Sequence, residues 1–386
     1  MRWLFPAFFA AFAISICLGG CGGGGSQPCC STHQSQTAPN PIPSEIVLSI
    51  TTQNNATSSS INPVNHDPLV SVTIGNSTVP VVLDTGSSGL RVFALALQPQ
   101  DYTATNTSIN ATFGSFGSST QYTYQGSLAT ADIKIGGTDL GTQAFQVVTS
   151  ISGDASFQSE MKYKGMGVFG VAPTPPDNVG IGSLMGAFPG NLSSGFIISL
   201  SSSQMQIGIS DADRSTFGQL YGVPTSSVPS GGTPPYWQTS TFTWCYTLTI
   251  PGLTSVSNAC VANTLTDTGG LNAHLYFTNL SPPMPLPAST STAIPTNTLV
   301  TLPPQTTVSA VLVTQPGAPV FTWNAPPTGT CSGYDMVNVW FGSGGGRNSN
   351  GINPYFTNDV LYDLAKSQFG FRAAASSLPS FCAPGT

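Results

Sequence analysis

The sequence predicts an all-β protein made of two related lobes. Serine, threonine, valine and glycine are frequent and are interspersed with turn residues, a composition typical of short strands. Only 6% of the 386 residues are charged, so long charged helices are not expected. The chain also contains an internal echo: Asp84-Thr85-Gly86 recurs 183 positions later as Asp267-Thr268-Gly269, each time after an apolar strand pattern.

The composition excludes several classes of protein. A hydrophobic share of 40% is too high for a wholly disordered chain. Nine Lys and Arg residues stand against fifteen Asp and Glu residues, and no basic run occurs, so no nucleic-acid partner is expected. The three histidines are scattered and no Cys-x-x-Cys pair exists, which argues against a zinc site. We therefore expect neither a metal nor another cofactor.

Residues 1–20 have the pattern of a signal peptide. Arg2 supplies the positive charge, and the apolar run from Trp3 to Leu18 is shorter than the roughly 20 residues that a spanning helix needs. The run ends in Leu18-Gly19-Gly20-Cys21, which resembles the lipobox of bacterial lipoproteins. Cys21 is thus the predicted lipidation site, with a plain secretory signal as the alternative. We expect an exported protein, held at the cell envelope by a lipid in the membrane.

Three further segments follow the signal peptide. Residues 21–65 are rich in Gly, Ser, Thr, Gln, Asn and Pro and indicate a flexible tether, with one possible strand at Ile46–Ile50. An N-terminal β lobe is predicted over 66–200 and a C-terminal β lobe over 201–386. Within the lobes, strand patterns occur at 69–74, 79–83, 129–135, 144–148, 195–200, 204–209, 242–250, 259–265, 271–277, 308–313 and 336–341. Residues 281–306 look like a surface insertion, and the pattern from Val360 to Phe369 is ambiguous between helix and strand.

The folded part holds four of the eight cysteines, which allow three disulfide pairings. An exported chain can keep such bonds. We favour Cys245–Cys260, across a hairpin that turns at Pro251-Gly252, and Cys331–Cys382, which would fasten the C-terminal end.

The two Asp-Thr-Gly loops permit a specific chemistry. Carboxyl groups held about 3 Å apart cannot both ionise and therefore share one proton. The ionised group can take a proton from water while the protonated group donates to a carbonyl oxygen. Asp84 and Asp267 are the predicted catalytic residues. Supporting roles, such as threonine hydroxyls that bond the opposite loop and glycines that allow close approach, fall to Thr85, Gly86, Ser87, Thr268 and Gly269.

At these residues the chain resembles the pepsin-like aspartic peptidases. Asp84 to Leu90 is similar to that family's first catalytic loop, including the serine after the glycine. Further similar segments are Gly167 to Ala172, Gly195 to Leu200, Tyr236 to Gln238, Val360 to Asp363 and Gln368 to Phe371. The resemblance runs from about residue 66 to residue 386. It implies a bilobal fold with an active-site cleft between the lobes and, with the lipobox, a bacterial surface-lipoprotein branch.

The chain departs from the family's pattern in several places. Arg91 stands where the family usually has Trp, and Gly270 replaces the Ser or Thr that follows the second Asp-Thr-Gly. The flap region is short; Tyr124 is the expected flap tyrosine, with Tyr122 as the alternative. The second lobe's apolar-apolar-Gly segment is not clear near Gly351.

The sequence therefore predicts an aspartic-type endopeptidase, a hydrolase acting on polypeptide in the cleft between its lobes. Because both loops lie in one chain, a monomer is expected and a homodimer built from single-loop subunits is disfavoured. The alternative is a weak or inactive pepsin-like module that binds ligands at the cell surface, which the changes at Arg91 and Gly270 favour.

Overall fold

The structure is a computed structural model. It describes residues 42–52, 68–113, 122–153, 166–174, 181–223, 225, 237, 242–251, 256–262, 264–270, 273–277, 298–301, 306–312, 321–324, 337–341 and 348–375. The predicted signal peptide, the lipidation site Cys21 and the pair Cys331 and Cys382 lie outside these residues. The predicted fold class is confirmed, because the structure is 61% strand and has few helices.

The first fourteen strands, in chain order, are β1 (Ile46–Ser49), β2 (Thr51–Thr52), β3 (Pro68–Ile74), β4 (Ser77–Asp84), β5 (Ser88–Phe93), β6 (Thr103–Phe113), β7 (Tyr122–Ile135), β8 (Thr138–Gly153), β9 (Gly167–Val171), β10 (Gly195–Ser199), β11 (Gln204–Ile207), β12 (Leu220–Gly222), β13 (Thr243–Thr249) and β14 (Val256–Ala262). The later strands are β15 (Thr264–Leu265), β16 (Ala273–Phe277), β17 (Thr298–Thr301), β18 (Thr307–Leu312), β19 (Phe321–Asn324), β20 (Val337–Phe341), β21 (Asn348–Ser349), β22 (Asn358–Asp363) and β23 (Gln368–Ala373).

The described helices are short. Two are α-helical, α1 (Asp211–Ser215) and α2 (Pro354–Thr357), and single 3-10 turns occur at Ala94–Ala96, Pro99–Asp101, Leu184–Ala187 and Gly190–Ser194. At the start of α1, Ser210 and Asp213 form a reciprocal capping box, which satisfies backbone N–H groups that the helix leaves unpaired. None of the described helices has the length and hydrophobicity needed to cross a membrane.

The first half of the chain forms an eight-stranded sheet in the order β2-β3-β4-β9-β5-β8-β7-β6. Strands β3 and β4, which contain the strand patterns predicted at 69–74 and 79–83, form a hairpin whose turn places Gly75 at φ +56°, a conformation that favours glycine. A further pairing of β3 with β7 folds the sheet back on itself. Fully buried apolar side chains then fill its interior, among them Val72, Ile74, Val81, Ile133 and Phe145.

The second half forms two smaller sheets, β14-β13-β18-β19 and β15-β21-β16-β20-β17. In β13, buried Trp244, Tyr246 and Leu248 alternate with less buried residues, the period-2 pattern of a strand with one face in the core. The predicted disulfide Cys245–Cys260 is confirmed and joins facing positions of β13 and β14.

A six-stranded sheet joins the two halves, in the order β1-β11-β10-β22-β23-β12. Its central pairing is between β10 of the first half and β22 near the end of the chain. The strand predicted in the tether is present as β1, which pairs with β11 at the edge of this sheet. The ambiguous segment from Val360 to Phe369 is not helical; it contains most of β22 and the first two residues of β23, and these two strands pair with each other.

One segment differs from expectation. Residues 281–306 were expected to be a surface insertion, but Thr298–Thr301 form strand β17, which pairs with β20. The prolines on either side of this short strand hide its pattern in the sequence, because proline is depleted in strands. Most of the remaining insertion lies outside the described residues.

Candidate active site

The two Asp-Thr-Gly loops occupy equivalent positions in the two halves. In the first half, β4 runs parallel to β9, and Asp84 at the end of β4 faces Gly170. In the second half, β15 runs parallel to β21, and the N–H of Asp267 donates to the Gly351 carbonyl at 3.2 Å. Each aspartate thus follows a strand that is held by a parallel neighbour.

The neighbour in the second half is polar. The resemblance implied an apolar-apolar-Gly segment, but the chain has Asn348-Ser349-Asn350-Gly351 beside the second loop. The side chain of Asn348 donates to the Ala262 carbonyl at 2.8 Å, and the Asn350 side chain accepts from the buried Tyr246 hydroxyl at 2.7 Å. Hydrogen bonds therefore perform here the fixing that apolar packing by Val168 and Phe169 performs in the first half.

The loops bring the two carboxyl groups together. Asp84 and Asp267 are within hydrogen-bonding distance of each other. Gly86 and Gly269 are needed for this approach: a Cβ atom at Gly86 would lie 2.5 Å from a carboxyl oxygen of Asp267, and one at Gly269 would lie 2.7 Å from the Asp84 carboxyl carbon. Any larger residue at either position would force the pair apart.

Three donors from its own loop surround Asp84. Its Oδ1 accepts from the N–H of Gly86 at 2.7 Å and from the N–H of Ser87 at 3.2 Å. The Ser87 hydroxyl donates to Oδ2. Both carboxyl oxygens of Asp84 therefore accept hydrogen bonds from its own loop.

The surroundings of Asp267 are different. Desolvation, the nearby charge of Asp84 and the hydrogen bond with that residue raise the pKa of Asp267 well above its ordinary value. The backbone N–H groups of Gly269 and Gly270 oppose this rise, but position 270 has no hydroxyl to match Ser87. The two carboxyl groups are therefore unequal, and Asp267 is the one that retains a proton.

The threonines cross-link the loops, as the sequence predicts. The N–H of Thr85 donates to the Thr268 hydroxyl at 3.0 Å, and the N–H of Thr268 donates to the Thr85 hydroxyl at 3.0 Å. Each hydroxyl also donates to a carbonyl of the opposite loop, Thr85 to Thr266 at 2.8 Å and Thr268 to Leu83 at 2.6 Å. All four bonds are largely shielded from water, which fixes one loop against the other.

Two tyrosines that the sequence analysis did not single out complete the site. The hydroxyl of Tyr355, in α2, lies 3.0 Å from the Thr85 hydroxyl and 2.7 Å from the hydroxyl of Tyr362, in β22. Both side chains are buried. No local pattern marks them, because they lie far along the chain from the first loop and contact it only in the folded protein.

The expected flap tyrosines lie in the paired part of a hairpin. Tyr122 and Tyr124 belong to β7, which pairs with both β6 and β8. Tyr124 is buried and packs edge-on against Phe93, while Tyr122 stacks on Phe113. The tip of the hairpin, residues 114–121, lies outside the described residues, and the flap role stays a prediction.

Arg91 lies between the first aspartate loop and this hairpin. Its guanidinium donates to the Ser88 carbonyl at 2.6 Å and lies 5.4 Å from the centre of the Phe113 ring. Arg91 thus connects the end of the first loop with the aromatic hairpin.

Comparison with known proteins adds two matches. Among solved structures, the aspartic proteinase from Irpex lacteus matches 88% of this chain and 100% of its own, with 15% identity and a TM-score of 0.48. No curated protein matches the chain. The model of a family, the PE-PGRS C-terminal aspartyl peptidase-like domain, matches residues 55–234. Over those residues, which include the loop of Asp84, the chain is similar to a family of aspartyl peptidase-like domains.

Proposed function

We propose that the protein is an aspartic endopeptidase, which hydrolyses peptide bonds with water activated between Asp84 and Asp267. The observation that carries the proposal is the placement of two carboxyl groups within hydrogen-bonding distance on crossed loops. Such a pair cannot ionise twice, and so it supplies a base and an acid at one site.

The unequal surroundings divide the work between the two residues. Water attacks the carbonyl carbon and gives its proton to Asp84, while Asp267 gives its proton to the carbonyl oxygen. A tetrahedral diol forms without any covalent bond to the protein. When the diol collapses, the carbon–nitrogen bond breaks, Asp84 passes its proton to the leaving nitrogen, and Asp267 takes a proton back from a diol hydroxyl.

The substrate that suits this site is a polypeptide lying extended between the two halves. An extended chain can pair with strand edges through its backbone, and side-chain pockets then add preference. Attack by water on a bond inside a chain needs no free terminus, so the activity is that of an endopeptidase. The protein acts as a monomer, because one chain supplies both aspartates.

We further propose that the protein works at the bacterial cell envelope, anchored by a lipid on Cys21. The support is the sequence Leu18-Gly19-Gly20-Cys21 after a short apolar run. Growth with a labelled fatty acid tests it: the label enters the wild-type protein and is absent from Cys21→Ser. Label that remains on the variant would contradict the anchor.

One observation favours a second candidate, a surface module that binds peptides without cleaving them. Asp267 has no side-chain hydroxyl donor at position 270, whereas Asp84 has Ser87. A carboxyl group that releases its proton poorly would slow the return of the pair to its starting state.

Cleavage of a peptide library by the purified protein, measured from pH 3 to pH 8, separates the two candidates. An endopeptidase cleaves internal bonds, and Asp84→Asn and Asp267→Asn each abolish cleavage. Asp139→Asn, which makes the same chemical change at an exposed position of β8, leaves cleavage unchanged. Binding without cleavage by a folded wild-type protein would favour the surface module. A statine-type inhibitor is expected to block cleavage.

A further inference from the structure

We propose that Tyr355 and Tyr362 form a positioning pair, which fixes the hydroxyl of Thr85 and through it the register of the two aspartate loops. This inference rests on the proposed function, because it assigns the pair a role in that reaction. Neither tyrosine touches the carboxyl groups in the described contacts. Tyr355 acts through Thr85, and Tyr362 acts through Tyr355 and through a longer hydrogen bond to the Thr266 carbonyl at 3.5 Å.

Four oxygen atoms lie in a row between the six-stranded sheet and the second aspartate loop. Tyr362 Oη lies 2.7 Å from Tyr355 Oη, which lies 3.0 Å from Thr85 Oγ1. Thr85 Oγ1 in turn donates to the Thr266 carbonyl at 2.8 Å. These oxygens form one continuous chain of hydrogen bonds from the six-stranded sheet to the loop that carries Asp267.

The Thr266 carbonyl sets the direction in which the hydroxyl protons of this row point. A carbonyl oxygen can only accept, so the single proton of the Thr85 hydroxyl goes to Thr266. Tyr355 must then donate to Thr85, which leaves the Tyr355 oxygen free to accept from Tyr362. The Thr85 oxygen therefore receives two bonds, one from Tyr355 and one from the N–H of Thr268.

Both tyrosine side chains are buried. Burial raises the pKa of Tyr355 well above its ordinary value and the pKa of Tyr362 to about 12, so both hydroxyls keep their protons at any working pH. A buried hydroxyl without a partner is costly, and Tyr355 has both of its partners only while Thr85 and Tyr362 keep their places. The hydrogen-bonded hydroxyls of Thr85, Tyr355 and Tyr362 therefore stabilise one another's positions.

Aromatic packing holds Tyr362 in place. Tyr362 lies in β22, at the centre of the six-stranded sheet, and its ring stacks on Phe196 at 4.6 Å and on Trp237 at 5.8 Å between ring centres. The far end of the hydroxyl chain is therefore held by packed aromatic rings, and it can hold Thr85 in turn.

The test uses Tyr355→Phe, which removes one oxygen and keeps the ring. We expect kcat to fall about tenfold while KM changes less than about twofold, because a lost buried hydrogen bond of this size disturbs the reacting pair and leaves substrate binding intact. The alkaline limb of the pH profile should move to lower pH as the carboxyl groups separate and Asp267 loses its proton more easily. Tyr221→Phe, at a buried tyrosine of β12 in the same sheet, should change none of these.

A second readout does not need activity. In the wild type, the protonation of Asp267 makes the free energy of unfolding depend on pH, and this dependence should weaken in Tyr355→Phe. A wild type that cleaves nothing would refute the proposed function, while this readout would still decide the positioning role. A folded Tyr355→Phe protein with wild-type kcat and wild-type pH dependence overturns the inference.

A double-mutant cycle completes the test. Tyr362 Oη lies 2.7 Å from Tyr355 Oη and 3.5 Å from the Thr266 carbonyl, so it acts mainly through Tyr355. Tyr362→Phe should therefore lower kcat in the wild-type background and have a much smaller effect in Tyr355→Phe. Independent, additive effects of the two changes would overturn the inference. If Tyr355→Phe does not fold, Tyr362→Phe alone decides it: a fall in kcat with an altered pH profile supports the pair, and an unchanged profile overturns it.

Discussion

Thr85 and Thr268 each accept a hydrogen bond on the side-chain hydroxyl from the backbone N–H of the other, at 3.0 Å in both directions. Each hydroxyl is also used as a donor within the opposite half of the chain. This reciprocal lock makes the placement of the aspartates a property of both halves together, and it can be tested through either threonine.

Replacing Thr268 with Val should destabilise the protein by about 2–4 kcal/mol, because the buried N–H of Thr85 and carbonyl of Leu83 both lose their partner. Thr268→Ser keeps the hydroxyl and serves as the control, with a much smaller loss. Urea denaturation measures the free energy of unfolding of each variant. Equal losses for Val and Ser would show that the methyl group matters and the hydroxyl does not.

The raised pKa of Asp267 predicts how stability varies with pH. The folded chain holds a proton that the unfolded chain has already released, so stability falls as pH rises from the ordinary carboxyl value of 3.8 through the raised folded value, and then levels off. The slope in that window should approach about 1.4 kcal/mol per pH unit. Asp267→Asn removes this contribution.

Urea denaturation of wild type and Asp267→Asn over pH 3 to pH 9 provides the measurement. The wild type should lose stability relative to the variant as pH increases. A difference between the two proteins that stays constant over the whole range would mean that Asp267 titrates normally.

Adding a hydroxyl at position 270 should lower the pKa of Asp267. In Gly270→Ser the new hydroxyl can donate to the Asp267 carboxyl, as Ser87 does to Asp84. The alkaline limb of kcat/KM against pH should then move to lower pH. A Cβ atom at this position would lie 2.9 Å from Asp267 Oδ2, so the carboxyl group must shift slightly.

Gly270→Ala separates the two effects, because it adds the Cβ atom without the hydroxyl. The alanine variant should show no movement of the limb to lower pH. If alanine and serine move the limb equally, crowding rather than hydrogen bonding sets the proton affinity.

Removing the disulfide should lower the free energy of unfolding, because the bond restricts the conformations of the unfolded chain. Cys245 and Cys260 are separated by 15 residues, and a loop of that size corresponds to about 3 kcal/mol. The double variant Cys245→Ser and Cys260→Ser should show this loss in urea denaturation, and a reducing agent should destabilise the wild type but not the double variant. An equal response of both proteins to the reducing agent would point to another disulfide.

The local features of the site were predictable from the sequence. Apolar patterns at 69–74 and 79–83 predicted strands β3 and β4, the second of which ends at Asp84, and the repeated Asp-Thr-Gly predicted the second loop. Cys245 and Cys260 flank a turn within one hairpin, and so their pairing could also be inferred.

The long-range features were not predictable in the same way. The contact of Tyr355 with Thr85 joins positions 270 residues apart, and no spacing rule connects them. The segment that supports the second loop, Asn348 to Gly351, could not be recognised from the sequence because it is polar where an apolar segment was expected. Strand β17 was missed for a related reason, since its support comes from β20 and not from its own neighbours in the chain.

The arrangement of the six-stranded sheet has a consequence for biosynthesis. Strand β22 follows both aspartate loops in the chain, yet it lies at the middle of that sheet beside β10. A nascent chain that ends before Asn358 already contains both aspartates but lacks Tyr362 and the strand that unites the halves. Such a chain cannot complete the six-stranded sheet, so under the proposed function the two aspartates come into register only after β22 has been synthesised.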